Sequence, residues 1–447
     1  MTDLQQLFRK RELSGDIFFK KEQKTFKEVV RQAREYSFNS KESDWIILVD
    51  DKDPLSLMTA ILSCIHNNQN FIIICLEDID HHELETYPKF YLSKIIDKRY
   101  LNELKLRKIR QEKTGFNFNN VLFGFLTSGS SGKSKVIIHP VNHLFTNALH
   151  VNDVLEVKNN TIFQLILPTY HIAGLAILFR AFYNGSPINL LHKKELESEN
   201  LTGVISLVSA QIPTLLKNKA LSPKELTLFI GGGKINPSFL SDCINAKFPT
   251  FTSYGMSETA STFSIKKHVK DNSISSIGKP IADGEFSIID QILHIKTSLL
   301  FAGELINGKI VKASLPNNFY RTKDKAQIKC NEIYLLGRED EIIVSGGKNI
   351  SLKKISDIIS SGFTGLDYQL ITHPHQKWGE SYSIFIISDV NKNQLETTKE
   401  LRGSLKNEYS PFAIHFLTGE EEYRGIKPSK QELLDLLSKD LKKVING

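Results

Sequence analysis

Asp44-Trp45-Ile46-Ile47-Leu48-Val49-Asp50-Asp51, then residues 54–67 (PLSLMTAILSCIHN), then Asn70-Phe71-Ile72-Ile73-Ile74-Cys75-Leu76 stand in close succession. The outer two are short apolar runs that read as buried strands, and the middle stretch reads as a helix. Strand, helix, strand is the repeating unit of a parallel sheet covered by helices. The pattern returns downstream. Residues 161–167 read as strand, 172–183 as helix and 187–191 as strand. Residues 203–208 (strand), 212–217 (helix), 226–230 (strand) and 236–246 (helix) continue it. From about Gly284 the pattern changes. Residues 284–289, 292–297 and 309–313 read as short hairpin-linked strands, closer to a small antiparallel sheet or barrel. A second change comes near Gly337. Beyond it, 342–345, 368–372 and 382–387 read as strands and 352–360, 394–407 and 430–444 as helices, enough for a small α+β domain. The expected class is α/β. A large domain of parallel α/β sheets with a small β-barrel-like part would span 1–337, and a small α+β domain would span 338–447.

The 447 residues are 40% apolar and 24% charged. That balance describes a globular chain and excludes a disordered one. No apolar run approaches the roughly 20 residues that a membrane-spanning helix needs. The N-terminal MTDLQQLFRKREL is polar and lacks an apolar signal core, so secretion is not expected. The net charge is +7. Lysines are spread along the chain with no arginine-rich run and no basic–aromatic repeat. This is the charge pattern of a solvated surface, not of a nucleic-acid binder, and it is compatible with an anionic substrate. Cys64, Cys75, Cys243 and Cys330 lie far apart without metal or CxxC spacing, which points to a reducing, cytoplasmic compartment.

The sharpest local signal is Thr127-Ser128-Gly129-Ser130-Ser131-Gly132-Lys133-Ser134-Lys135. One apolar strand (121–126) feeds it and another (136–138) leaves it. A run of Gly, Ser and Thr offers backbone N–H groups, hydroxyls and unrestricted φ angles, which suits wrapping phosphate oxygens, and a lysine adds a cation. On composition alone a plain surface loop also fits. The loop is not that of P-loop NTPases, G-x-x-x-x-G-K-[ST]. Gly132-Lys133-Ser134 matches the end, but Thr127 stands at the first glycine and the exit is a strand instead of a helix.

Taken with several segments downstream, the loop resembles the TSGSTGxPK signature of adenylate-forming enzymes, the superfamily of acyl- and aryl-CoA synthetases, luciferases and adenylation domains. Ser131 replaces the usual Thr and Ser134 the usual Pro, and both keep the loop small and polar. The downstream segments match in the family's order. Leu167-Pro168-Thr169-Tyr170-His171-Ile172-Ala173-Gly174 resembles LPLFHxxG at the edge of the acyl pocket. Gly231-Gly232-Gly233 stands after a strand, where the family places adenine. Ser253-Tyr254-Gly255-Met256-Ser257-Glu258-Thr259 resembles the YGxTE motif, and Tyr320-Arg321-Thr322-Lys323-Asp324 resembles Y-[RK]-T-G-D. Leu336 to Ile343 (LGREDEII) with Gly346-Gly347-Lys348-Asn349-Ile350 resembles LxGRxDxxIxxGGxxI. His373-Pro374 with Gly379-Glu380 resembles a short C-terminal motif.

The resemblance implies ATP, Mg²⁺ and coenzyme A as cofactors and co-substrates, with a small-molecule carboxylate as substrate. It implies that Thr127, Ser128, Gly129, Ser130, Ser131, Gly132 and Lys135 hold the β- and γ-phosphates. Glu258, with Thr127, would hold Mg²⁺. Gly232, Gly233, Tyr254, Gly255 and Ser257 would surround adenine, with Tyr254 stacked on it. Asp324 would accept hydrogen bonds from the ribose hydroxyls, and Arg338 would assist from the domain junction. Asp340 occupies the hinge about which the C-terminal domain would rotate between two half-reactions. Gly346 and Gly347 would admit the pantetheine arm. His171 is a substrate-pocket residue at the reacting end, without a general-base role. His139 and His143 are spaced i, i+4, but Pro140 lies between them and no HExxH is present, so zinc is not expected there.

The family's adenylation lysine sits in a PxTxxGK motif that this chain lacks. In its place stands Tyr423-Arg424-Gly425-Ile426-Lys427-Pro428-Ser429-Lys430. Pro428 suits a first helical turn, which leaves Lys427 in the preceding loop and Lys430 on the helix. Lys427 is favoured, with Lys430 as the alternative. This variant, and Ser206-Leu207-Val208-Ser209-Ala210-Gln211, resemble the o-succinylbenzoate–CoA ligase branch of menaquinone biosynthesis. Three functions remain open on the sequence: an acid–CoA ligase of that branch, another aryl- or acyl-CoA synthetase or an adenylation enzyme loading a carrier-protein thiol, and a nucleotide-binding module without catalysis.

Overall fold

The computed structural model describes residues 4–36, 45–50, 52–75, 95–96, 121–128, 134–233, 235–268, 276–306, 309–329, 332–339, 342–345, 348–363, 366–375, 379–387, 394–405, 411–417, 433–434 and 436–437. The opening strand–helix–strand reading is realised as Trp45–Val49, Pro54–His66 and Asn70–Ile74. The helix starts where it does because Asp53 accepts a hydrogen bond from the Ser56 backbone N–H and Pro54 occupies the first turn.

Among the described residues the strands form four sheets. The largest has nine strands. Its middle runs parallel through Leu226–Ile230, Gly203–Leu207, Phe163–Leu165 and Ile188–Leu190, and its Thr250–Met256 and Ser261–His268 strands form an antiparallel pair. The seven-stranded sheet holds Asn70–Ile74 and Trp45–Val49 in parallel beside the antiparallel hairpin Leu122–Ser128 and Ser134–Pro140. Alternation along Trp45–Val49 shows how this sheet is covered on both sides. Ile46 and Leu48 belong to the main core, while Trp45, Ile47 and Val49 belong to a second cluster on the opposite face. The helices Phe26–Glu35, Pro54–His66, Asn142–Val154 and Ile172–Asn184 fill the main core between the two large sheets. Arg11 donates to the carbonyls of Phe182 and Tyr183, both at 2.7 Å, and so satisfies the C-terminal end of helix Ile172–Asn184.

The small antiparallel sheet after Gly284 is present, with one correction. Its strands are Glu285–Ile289, Ile292–Lys296, Tyr320–Lys329 and Glu332–Arg338. The expected third strand, Lys309–Val311, instead pairs with Gly303–Ile306 at the edge of the seven-stranded sheet. A hairpin pattern fixes which strands are joined but not which sheet takes the hairpin. Here Gly303–Ile306 pairs with the strand leaving the phosphate loop. Residues from Ile342 onward build a five-stranded sheet of their own, packed with helices Leu352–Gly362 and Gln394–Leu405. Among the described residues no helix is long and apolar enough to cross a membrane.

Candidate active site

The site grows from the strand Thr250–Met256 and the 3₁₀ turn Ser257–Thr259 that ends it. The pairing with Ser261–His268 shifts register between Tyr254 and Gly255. At Gly255 a Cβ would come within 1.7 Å of the Ser261 carbonyl oxygen, so the motif's glycine is required by close backbone approach. Ala260 (φ 50°) and Ser261 (φ 98°) come next, with positive φ. The turn that presents Glu258 is therefore backbone-strained and depends on its surroundings to persist.

Tyr254 Oη donates to Asp324 Oδ2 at 2.5 Å, and Arg338 Nη1 lies 3.5 Å from Asp324 Oδ1. Asp324 sits on strand Tyr320–Lys329 opposite Arg338, its backbone N–H held by Thr322 Oγ1 at 3.1 Å. Burial, and then the Asp324 charge, push the Tyr254 hydroxyl well above its ordinary value, so it stays a neutral donor. Residues far apart in sequence, expected to serve adenine, ribose and the domain junction, thus meet in one network. Gly231 adjoins it, since its Cβ would meet Ser253 Oγ at 2.2 Å, and Gly232 has φ 77°.

Glu258 faces Tyr320, whose hydroxyl lies 3.4 Å from Glu258 Oε1. Burial, and to a smaller extent Glu304, raise the Glu258 pKa. Glu304 is also the partner of Lys135, at 2.7 Å. Thr127 is paired with Lys135 across the hairpin that enters and leaves the phosphate loop. Gly129, Ser130, Ser131 and Gly132 lie outside the described residues, as do Asp340, Gly346, Gly347, Lys427 and Lys430. Ser128 is placed only by its backbone, at the end of strand Leu122–Ser128.

His171 caps the start of helix Ile172–Asn184. Its ring leans on Tyr170 at 4.5 Å, and burial by the surrounding chain lowers its pKa. By surface area the residue is exposed, while the chain packed around it still desolvates the ring. The segment before it is anchored by a buried contact, Thr169 Oγ1 to Asp50 Oδ2 at 2.5 Å. Gly174 is needed for this path, because a Cβ would come within 2.0 Å of the Pro168 carbonyl oxygen.

Sequence reasoning missed Arg180, Tyr320's contact with Glu258, and Glu304. Arg180 is 2% exposed. Its Nη2 donates to Thr262 Oγ1 at 3.2 Å, its guanidinium lies 5.1 Å from the Phe229 ring centroid, and among the described residues its Nε has no hydrogen-bond partner. Burial lowers its pKa to about 9, and among the described residues no carboxylate offsets that. Thr262 is the register partner of Gly255 and Phe229 lies just before Gly231, so the guanidinium adjoins the motifs of the site. The signal was a lone charge in the apolar helix IAGLAILFRAFYN.

Known proteins share this arrangement of segments. The 2-succinylbenzoate–CoA ligase of Haemophilus influenzae is 27% identical over 70% of this chain and 70% of its own length. That of Staphylococcus epidermidis is 27% identical over 65% and 64%. Among solved structures, an E. coli MenE variant with bound OSB-AMS superposes with TM-score 0.79 at 19% identity, covering 96% of this chain and 98% of that one. Bacillus subtilis MenE in complex with the acyl-adenylate intermediate OSB-AMP gives TM-score 0.72 at 18% identity, covering 96% and 97%. These superpositions establish a shared fold. The profile of the AMP-binding enzyme family matches residues 32–298. The expected adenylate-forming class is borne out: the chain belongs to the AMP-binding enzyme family.

Proposed function

We propose that this protein is an ATP-dependent acid–CoA ligase acting on o-succinylbenzoate. Relatives named for that activity support the reaction. The observation that carries the substrate is Arg180, a buried guanidinium beside the motifs of the site whose Nε has no partner, and which has no counter-ion, among the described residues. A substrate with two carboxylates reacts through one and can bring the other to Arg180.

A carboxylate is a poor electrophile, because its charge repels nucleophiles and its oxygen leaves badly. Attack of one carboxylate oxygen on the α-phosphorus of ATP forms the acyl–O–P bond and expels pyrophosphate. The coenzyme A thiol, giving up its proton, then attacks the acyl carbon and expels AMP. The first step crowds an anion against an anionic phosphate, so donors and cations fixed beforehand lower its barrier. The Tyr254–Asp324–Arg338 network would orient ribose and adenine. Lys135 and the loop N–H groups would hold the phosphate tail, with Lys135 exchanging Glu304 for phosphate. Lys427, supplied by the C-terminal part, would meet the charge that develops during adenylation.

Glu258 fits a divalent cation. It is a largely buried carboxylate whose pKa burial raises, and among the described residues its side-chain donor is the Tyr320 hydroxyl at 3.4 Å. With the Thr127 hydroxyl it would hold Mg²⁺, which when bound supplies charge neutralisation at the phosphates. We further propose that the chain divides after Gly337, with 338–447 moving about Asp340, and that it works in the cytoplasm, where the buried thiols of Cys64, Cys75 and Cys243 stay reduced.

The test is incubation with ATP, Mg²⁺, coenzyme A and o-succinylbenzoate. Release of AMP and pyrophosphate with formation of the thioester is expected. ADP and phosphate would end the proposal, and adenylate formation without transfer to coenzyme A would favour a carrier-protein thiol as acceptor.

A further inference from the structure

His139 and His143 have no part in the ligase chemistry, yet they are joined to its site. His139 lies on strand Ser134–Pro140 with no exposed surface. Its ring stacks on Phe123 (5.6 Å, 22°) and Phe125 (6.2 Å, 9°) of the neighbouring strand. Its Nε2 is 2.8 Å from the Ser257 carbonyl oxygen, and its Nδ1 is 3.2 Å from Nδ1 of His143. A carbonyl only accepts, so His139 carries its proton on Nε2. Its Nδ1 then offers a lone pair, and His143 must supply the proton between the two rings from its own Nδ1. Burial lowers the two rings to about 3 and about 4, so both are neutral at physiological pH. Geometry and neutrality together leave one proton arrangement, a chain of donors running from His143 through His139 to Ser257.

The receiving carbonyl belongs to the residue before Glu258, in the turn whose next residues, Ala260 and Ser261, are held at positive φ. Other restraints on this turn include Phe301 N–H to the Glu258 carbonyl at 2.9 Å, Met256 N–H to Thr259 Oγ1 at 3.1 Å, and the Thr259 hydroxyl near the Met256 and Ser261 carbonyls at 3.1 and 3.2 Å. A strained turn keeps its shape only while such contacts over-determine it. We propose that His139, oriented by His143, is a positioning residue whose Nε2–H holds the Ser257 carbonyl and thereby aims the Glu258 carboxylate. This rests on the reading that Glu258 serves Mg²⁺ and ATP.

The test uses the full chain, with pyrophosphate exchange measured against Mg²⁺, ATP and the acid, and thermal denaturation alongside. His139→Phe keeps a flat ring for the stack but has no donor, while His139→Gln returns an amide N–H near the Nε2 position. His139→Phe is expected to raise the half-saturating Mg²⁺ concentration about tenfold, the scale of one lost hydrogen bond. KM for the acid should be unchanged, and His139→Gln should recover most of the loss. A folded His139→Phe with unaltered Mg²⁺ dependence, an equal loss toward all substrates, or no rescue by Gln would overturn the proposal. If His139→Phe does not fold, ¹⁵N spectra of the unmodified protein decide. Protons on His139 Nε2 and His143 Nδ1 support the chain, and any other pattern overturns it. Absence of exchange in the unmodified protein would instead refute the ligase reading itself.

Discussion

Replacement of Arg180 by methionine separates substrate recognition from the rest of the reaction. The guanidinium is 2% exposed and has no counter-ion among the described residues, and burial lowers its pKa from the ordinary arginine value to about 9. Keeping the charge there is uphill by an amount on the order of 5 kcal/mol. That penalty is full below about pH 9 and fades only as the pH climbs from there toward the ordinary arginine value, so it operates throughout the physiological range. A carboxylate seated against Nε regains part of it as a charge-assisted hydrogen bond, about 1.5–3 kcal/mol, which is roughly 10- to 150-fold in affinity. Arg180→Met should raise KM for o-succinylbenzoate by that factor with little change in kcat. Pyrophosphate exchange with β-benzoylpropionate and with an ortho-acylbenzoate, each lacking one of the two acids, supplies the contrast. Whichever of these is still adenylated should be affected little, so the preference for the diacid collapses. The melting temperature should hold or rise, because an unpaired buried charge gives way to an apolar chain of similar length. An unchanged KM for the diacid in the folded variant, or equal losses for monoacid and diacid, would refute the reasoning.

Three other perturbations address separate parts of the site. Asp324→Asn removes the charge that Tyr254 and Arg338 face; KM for ATP should rise roughly tenfold or more while that for dideoxy-ATP changes little, since the lost partners are ribose hydroxyls. Lys427→Ala should abolish adenylation but spare thioester formation from supplied acyl-adenylate, which assays of the two half-reactions would show; equal loss of both would contradict a cation that acts only where charge develops. Asp50→Ala leaves the buried Thr169 hydroxyl without its carboxylate and should destabilise the protein by about 1–3 kcal/mol in denaturant titration, with KM for the acid rising as the His171 segment loosens.

The parallel core was legible because strands buried on both faces are written as unbroken apolar runs. Trp45–Val49 and Leu226–Ile230 need no partner to be recognised. Lys309–Val311 was assigned to the wrong sheet for the opposite reason. Its three residues are all partly or fully exposed at an edge, and nothing in KIV says which neighbour its ladder meets. That Tyr254, Asp324 and Arg338 meet was legible from motifs that fix residue type and order. Arg180, His139 and Glu304 were not, because each acts through a partner that only folding supplies. His139 illustrates this best, since the i, i+4 spacing with His143 was visible while the bond to Ser257, 118 residues away, was not.

Two buried charges, Arg180, which the sequence did not reveal, and Glu258, which it did, share a physical logic with the strained turn. Arg180 and Glu258 flank one antiparallel pair, Thr250–Met256 with Ser261–His268: the guanidinium against Thr262, the carboxylate on the connecting turn. Burial raises the pKa of Glu258 and lowers that of Arg180, so each charge is unfavourably placed until an ion of opposite sign arrives. A mutual ion pair would remove both penalties, but no such pair is recorded among the described residues, and it would leave neither group with affinity for a ligand. On the proposed function, their separation would leave Arg180 for a substrate carboxylate and Glu258 for a divalent cation. The groups that touch each side are neutral: the Thr262 hydroxyl and the Phe229 ring against Arg180, and the His139 imidazole against the Ser257 carbonyl beside Glu258. A protonated His139 would put a cation next to the turn that carries Glu258 and would weaken a cation site there; burial holds its pKa at about 3 and keeps the ring neutral.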